Sequence, residues 1–579
     1  MVTARKFPNR FLPLFFCLLA ILLTGCELFG GNNTTTQPKK AVKLPADKQV
    51  YITPQIGIPD ITTLDPALAS DQASITAIQM IFTGLVQVDD KLQIHPQLAQ
   101  SWDVSSDGLT WTFHLRPNLK FSDGSPLTSQ DVAYSIDRAL QPTTQSTVAP
   151  NYLALVRDSD ELLAGRVTTL IGDSLLPTNK STLVIMTKKK AAYFLQMLTY
   201  PCSYVVEKSL IDKYGAKFTD HLTEGGGTGP FKVAQYIHRQ EIDFVPNSNY
   251  YGSQPQLTKV TFPFYQSASA AYQAYLNGHV DTTMVPLATF GTTKKRSDFH
   301  QVPQLWINYY TMNYLVKPFD NIHIRQAFAL AIDKMAIANT VWKGTVLPTN
   351  HIVPQGMAGY NPNLTGPDGT QGLKGNPTKA KQLFQQGLRE EGWSSVTQMP
   401  AITLTYATNA NTPGFDQEVT ELISMWQKVL GVTVKADSLD SNTLLDKVTA
   451  ATNNPAGLQF WGLSWVAEYP DPQDFLTLQF DIGVPNNNMN YGQNTTADAA
   501  RQQVVQQQLE AADANSNQAA RLQAYQQAEQ QLVNDVAWLP MEQVTSVFLR
   551  TPNIVGIVDN GQGLIPPDDW AKIYRVAFQ

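Results

Sequence analysis

The segment Leu458–Phe475 (LQFWGLSWVAEYPDPQDF) gathers the side chains best suited to chemistry. Phe460, Trp461, Trp465, Tyr469 and Phe475 are interleaved with Glu468, Asp471 and Asp474. Aromatic faces offer apolar area and attract cations, and a carboxylate pairs with an ammonium. That mixture suits a cleft for a cationic or amine-bearing ligand. It equally suits a core strand ending in a solvated acidic turn, and residue types alone do not separate the two. Pro470 and Pro472 exclude a regular helix or central strand through the turn.

Catalytic arrangements find less support. Glu468, Asp471 and Asp474 could supply the two carboxylates of a glycosidase, but their closeness in sequence does not say whether they face one another. The Gly-x-Ser-x-Gly pentapeptide of a serine-nucleophile elbow is absent. The eight histidines (His95, His114, His221, His238, His279, His300, His323, His351) include no His-x-x-x-His pair, so no zinc site and no metal is expected. Gly225-Gly226-Gly227-Thr228-Gly229 lacks the Gly-Lys-Ser/Thr ending of a phosphate loop and reads as a turn. No catalytic residue and no cofactor is expected.

The elements that must hold this segment alternate between strands and helices. Val50–Ile52 is a strand, and Ser74–Val88 carries Ile75, Ile78, Ile81 and Phe82 at helical spacing. Trp102–Val104 and Leu109–Leu115 form a hairpin around Ser105-Ser106-Asp107-Gly108. Thr128 or Ser129 caps a helix through Val132, Ile136 and Leu140. After the glycine turn, Phe231–Val233 and Ile242–Val245 are strands, Ser267–Asn277 a helix, Leu305–Asn313 a long strand and Asn321–Ala338 a helix. Thr496–Ala537, rich in Gln and Ala, forms two helices broken at Asn515-Ser516-Asn517. No fixed-period repeat argues for a solenoid.

The amino terminus says where the chain works. Arg5, Lys6 and Arg10 precede a thirteen-residue apolar run, Phe11–Leu23, then Leu23-Thr24-Gly25-Cys26. The run is well short of the ~20 residues that span a bilayer, so it reads as a secretory signal. Cys26 in this setting resembles the lipobox cysteine of bacterial lipoproteins, which is acylated and holds the protein on a membrane. Residues 1–25 are then a signal peptide and 26–47, polar and rich in Gly, Asn and Thr, a flexible tether. Losing three basic residues takes the formal charge from −6 to −9, and an acidic body is ill-suited to nucleic acid. The length implies two or three domains. Cys17 leaves with the signal and Cys26 takes lipid, so Cys202 has no partner for an intramolecular disulfide.

Several segments in series resemble the peptide-type extracellular solute-binding proteins of bacterial ABC importers, the oligopeptide-, dipeptide- and nickel-binding family. They are Thr63-Leu64-Asp65-Pro66, Ile81–Val86, Pro96–Trp102, Trp111–Arg116, Phe121–Thr128, Asp131–Ser135, Gly227–Phe231, Asn321–Ala327 and Trp465–Pro472. The resemblance implies an α/β, two-lobed periplasmic-binding-protein-like fold (type II, cluster C) with an extra domain inserted in the first lobe. The first lobe would be 48–85, 226–312 and 541–579, the extra domain 86–225, and the second lobe 313–540. Strands near Tyr309–Asn313 and Val544–Leu549 would form the hinge.

By the same resemblance the chain is no enzyme. It would be a monomeric receptor, anchored on the outer face of the cytoplasmic membrane or in the periplasm, that delivers a small-molecule ligand, a peptide, to the permease subunits of an ABC importer. The ligand would lie as an extra strand between Ser70-Asp71-Gln72 and Trp465-Val466-Ala467, its amino terminus held by Glu468, with Trp461 and Tyr469 nearby. The family's usual residue at that acidic position is aspartate. Some relatives also carry an arginine shortly before the tryptophan to take the ligand's carboxylate, and Phe460–Ser464 holds no cation. A nickel chelate, an opine or an oligosaccharide is the alternative ligand, and an exported hydrolase the alternative class.

Overall fold

The computed structural model describes residues 40–408 and 414–578. Cys26, the signal peptide and most of the expected tether lie outside the described residues.

Three sheets organise the chain. In the first, Phe231–Ile237, Glu241–Pro246 and Lys259–Tyr265 run antiparallel, and Val50–Ile52 joins Lys259–Tyr265 in parallel. Helix Gln72–Ile81 packs on this sheet, burying Ala77, Ile78 and Ile81 against Phe231, Phe244 and Phe262. The expected helix to Val88 stops seven residues early. The Thr83 amide turns to Thr228 Oγ1 (2.8 Å), and the amides of Thr228 and Gly229 bond the Ile81 carbonyl at 2.8 and 2.7 Å. A Cβ on Gly229 would lie 2.6 Å from the Met80 carbonyl oxygen, so the glycine run is a close backbone crossing.

The second sheet is antiparallel, in the order Ala99–Val104, Thr110–Leu115, Thr182–Met186, Leu175–Asn179. Its hairpin turns where expected. Trp111, Phe113 and Leu115 alternate inward under helix Ser129–Leu140, a period of two that fits a sheet with one covered face. Thr128 begins that helix with a capping box closed by Asp131. Tyr204, Val206, Leu210, Phe218 and Leu222, expected in this extra domain, pack instead into the core of the first sheet.

The third sheet links both lobes. Its order is Thr282–Met284, Leu539–Arg550, Phe299–Met312, Phe460–Val466, Ile402–Ala407, Val434–Leu439. Two strands in it are long, 14 residues at Phe299–Met312 and 12 at Leu539–Arg550. Their Phe299/Leu549 ends lie beside Thr282–Met284, and the Met312 end lies against Phe460. Asn308 and Glu542 fix the crossing with a 3.0 Å hydrogen bond. Apolar clusters cover both faces beyond it.

Two further expectations need correction. Asn321–Ala338 is two helices, Ile322–Leu330 and Lys334–Thr340, because Asp333 accepts from the Ala336 amide and starts a new cap. The expected tether is ordered at its end: Ala41–Lys43 pairs antiparallel with Val576–Phe578. The remaining helices fall close to expectation, at Ala268–Leu276, Ala499–Asp513 and Gln518–Asn534. Among the described residues no helix is long and apolar enough to cross a membrane.

Candidate functional site

Strand Phe460–Val466 has one complete side and one open side. Along Phe299–Met312 it pairs throughout, Phe460 opposite Met312 and Val466 opposite Trp306. Toward Ile402–Ala407 it pairs only at Phe460 and Trp461. The Ala467 amide donates to the Leu305 carbonyl (2.8 Å), which sets the alternation. Trp465 and Ala467 turn their main-chain groups to the paired side, so those of Ser464 and Val466 point to the open side. No strand among the described residues pairs with them there. Ser464 is exposed and Val466 is 52% exposed, although valine favours cover. This is an unfilled sheet edge.

The acidic residues lie at the end of that edge. Asp471 caps the short helix Pro472–Phe475, accepting from the Gln473 amide (3.0 Å), and pairs with Arg521 inside the protein. It is therefore spent on structure. Asp474 folds back beneath the strand end. Its Oδ2 accepts from Trp465 Nε1 (3.0 Å) and from the Glu468 amide (3.2 Å), while Oδ1 is buried without a partner. Among the described residues no cation offsets the burial of Glu468. Burial raises its carboxyl to about 7, and burial with the charge of Glu468 pushes Asp474 well above the carboxylate range. The acidic turn is thus largely buried, and the solvated version does not hold.

Tyrosines from the second sheet's domain form the wall opposite. Tyr152 stacks on Tyr200 (centroids 3.5 Å apart), and Tyr193 stacks on Tyr469 at 6.1 Å. Burial, then the charge of Glu468, raises Tyr152, which places this ring within electrostatic reach of the carboxyl. Tyr200 Oη donates to the Ala69 carbonyl (2.9 Å) and so ties the wall to Ser70-Asp71-Gln72. Ser70 and Gln72 are exposed. Asp71 has extended backbone, and its carboxylate is committed to Ser74, at 2.9 Å to the amide and 2.8 Å to Oγ. The Asp71 side chain is thereby withdrawn from a ligand, leaving its main chain and the exposed Ser70 and Gln72.

The wall is thus tied to the segment Ser70-Asp71-Gln72 through Ala69 and lies within electrostatic reach of Glu468, while Trp465, Val466 and Ala467 lie at the end of the strand that leads to Glu468. Of the other two expected ligand residues, Trp461 falls elsewhere and Tyr469 is built into the wall rather than left open to a ligand. Trp461 is 1% exposed, inside the apolar cluster of Phe480 and Trp538, because this end of the strand is covered. Tyr469 is buried against Tyr193 and Tyr152, its hydroxyl donating to Gln473. Sequence reasoning missed Tyr152, Tyr200 and the depth of Asp474. Arg521 was findable, since it stands four residues before Tyr525 on a buried helix stripe, where a cation needs a carboxylate. Cys202 is buried, which pushes its thiol up. Among the described residues no group of three His, Cys, Asp or Glu could hold a metal ion.

Comparison with known proteins bears on this geometry. The model of the bacterial extracellular solute-binding proteins, family 5 Middle, matches residues 93–487. The dipeptide-binding protein DppE of Bacillus subtilis (strain 168) is 27% identical over 556 residues, covering 94% of this chain and 96% of that one. Heme-binding protein A of Haemophilus influenzae is 26% identical over 570 residues, with 94% and 95% covered. A solved structure of the periplasmic murein tripeptide-binding protein MppA, in an unliganded open form, superposes with a TM-score of 0.77 at 26% identity, covering 93% of this chain and 99% of that one.

Proposed function

The chain belongs to the bacterial extracellular solute-binding proteins of family 5, and on that premise we propose that it is a lipid-anchored receptor that captures peptides between its lobes and delivers them to the permease of an ABC importer. Its matched relatives carry names of binding proteins, not of enzymes. One of those names is a heme-binding protein, so family membership alone does not fix the ligand.

The unfilled edge at Ser464 and Val466 carries the peptide reading. An extended backbone laid along it would complete the ladder, giving affinity through main-chain bonds that read no side chain. On this reading such a strand presents its amino end to Glu468, since a carboxylate without a cation suits an ammonium. Tyr200, the half-buried ring of the wall, supplies area and cation–π attraction. A sugar would want exposed aromatic faces, and the burial of Trp461 removes one. A nickel chelate would gain no direct ligand cluster among the described residues.

Binding of a pooled set of synthetic three- to six-residue peptides, followed by thermal shift, tests the reading. A peptide-dependent rise in melting temperature, lost on N-acetylation, is expected. A rise produced by oligosaccharides and not by peptides would overturn the ligand class.

A further inference from the structure

A second acid sits behind the first at this site. Asp474 is fully buried, and its Oδ1 has no hydrogen-bond partner although both donors within reach, Trp465 Nε1 and the Glu468 amide, go to Oδ2. Those two donors also bind the end of the open strand to Asp474, so the acid is wired to the edge where a ligand would lie. Arg521, buried below the turn, is held by Asp471.

The positive charges nearest this cluster belong to other carboxylates: Arg521 pairs with Asp471, and Lys189 acts on Asp513. Tyr152, Tyr193 and Tyr200 face them from the second sheet's domain, with Cys202 behind Tyr200. Tyr469 lies between the acids and Tyr193. Asp71 stands at the first helix's cap, and Asp471 below. Asp513 is satisfied by Tyr525 (2.6 Å) and Thr477 (2.8 Å). Two neighbouring carboxyl groups in such a setting cannot both ionise cheaply, and one proton is retained.

We propose that Glu468 and Asp474 form a two-carboxyl seat that keeps one proton while the cleft is empty and releases it when a ligand ammonium arrives, so that capture of an amine-bearing ligand is linked to proton release. The inference rests on Glu468 receiving the ligand's amino end. The balance is simple: the ligand brings its R–NH3+ unchanged, the protonated acid becomes a carboxylate, and one proton passes to the buffer. Burial holds Glu468 at about 7 and, with the Glu468 charge, holds Asp474 well above its usual range, which supplies the proton near neutral pH. Asp474 is thereby a positioning residue, acting on the ligand through Glu468.

Titration calorimetry of the full-length chain at pH 6.5, in two buffers of different ionisation enthalpy, counts the protons. With trialanine as probe, release approaching one proton per peptide is expected, and Kd should rise toward tenfold per pH unit on acidification. N-acetyl-trialanine should release none. Asp474→Asn keeps an acceptor for Trp465 Nε1 and the Glu468 amide, so it should fold, and per bound trialanine it should release fewer protons than the unmodified chain. No release from the unmodified chain, or equal release from Asp474→Asn, would overturn the seat while leaving the receptor reading intact.

If trialanine does not bind, the peptide reading fails first and the empty chain still decides. Carboxyl groups whose folded pKa is raised bind more protons folded than unfolded between about pH 4.5 and 7. Stability should therefore fall across that window and level off above it. The melting temperature of the unmodified chain should drop more from pH 5 to 8 than that of Asp474→Asn, and parallel profiles would overturn the seat.

Discussion

Glu468 and Trp465 are half-buried where Asp474 and Trp461 are fully buried, and that difference decides their roles. Glu468→Ala should weaken an amine-bearing peptide by at least ~1–2 kcal/mol, since it removes a charge-assisted partner in a partly desolvated cleft. Calorimetry on both forms checks this, and unchanged affinity would contradict the role. Trp461→Ala, by contrast, should cost ~3–5 kcal/mol of stability as a cavity in the core, with peptide affinity of the folded protein unaltered. Urea unfolding beside the binding assay separates these effects. The sequence made the cluster visible but not its layering. Trp461 and Trp465 share one face by the period of two, and what covers Trp461 comes from Phe480 and Trp538, distant in the chain. The same holds for the acids: spacing brings Asp471 and Asp474 together, but their fates follow from Arg521 and from burial.

At the scale of elements, the open edge of Phe460–Val466 makes a sharp distinction between adjacent residues. Val466→Pro removes an amide that points to the unfilled side, so the sheet should survive and peptide affinity should collapse. Trp465→Pro removes an amide that faces Phe299–Met312, and should unfold or grossly destabilise the lobe. Circular dichroism with a peptide titration reads both, and loss of fold in Val466→Pro alone would contradict the assigned alternation. Local signals found most elements, because the hairpin at Asp107-Gly108, the Thr128 cap and the Asn517 cap are written in adjacent residues. They failed where tertiary contacts end an element. Helix Gln72–Ile81 stops because Thr228 and Gly229 claim its last carbonyl, a residue spacing that no local window sees.

The whole molecule couples these parts through two long strands that enter both lobes. Closure about them would bury a ligand held at the open edge. Small-angle scattering should show the radius of gyration falling on peptide addition, and an unchanged radius with bound peptide would contradict closure. Cys26→Ala should free the protein from membranes with ligand affinity intact, and a variant that still sediments with membranes would contradict the anchor. The discontinuous first lobe follows from the family resemblance rather than from any local pattern. Tyr204, Val206, Leu210, Phe218 and Leu222, within the expected extra domain of 86–225, pack on the first sheet, a contact that no local pattern announces. Mass spectrometry of the purified full-length chain, first native and then denatured to release what co-purified, tests the central claim most directly. A ladder of short peptides with free amino termini is the expected release. A single sugar or metal chelate would contradict the peptide receptor while leaving the fold in place.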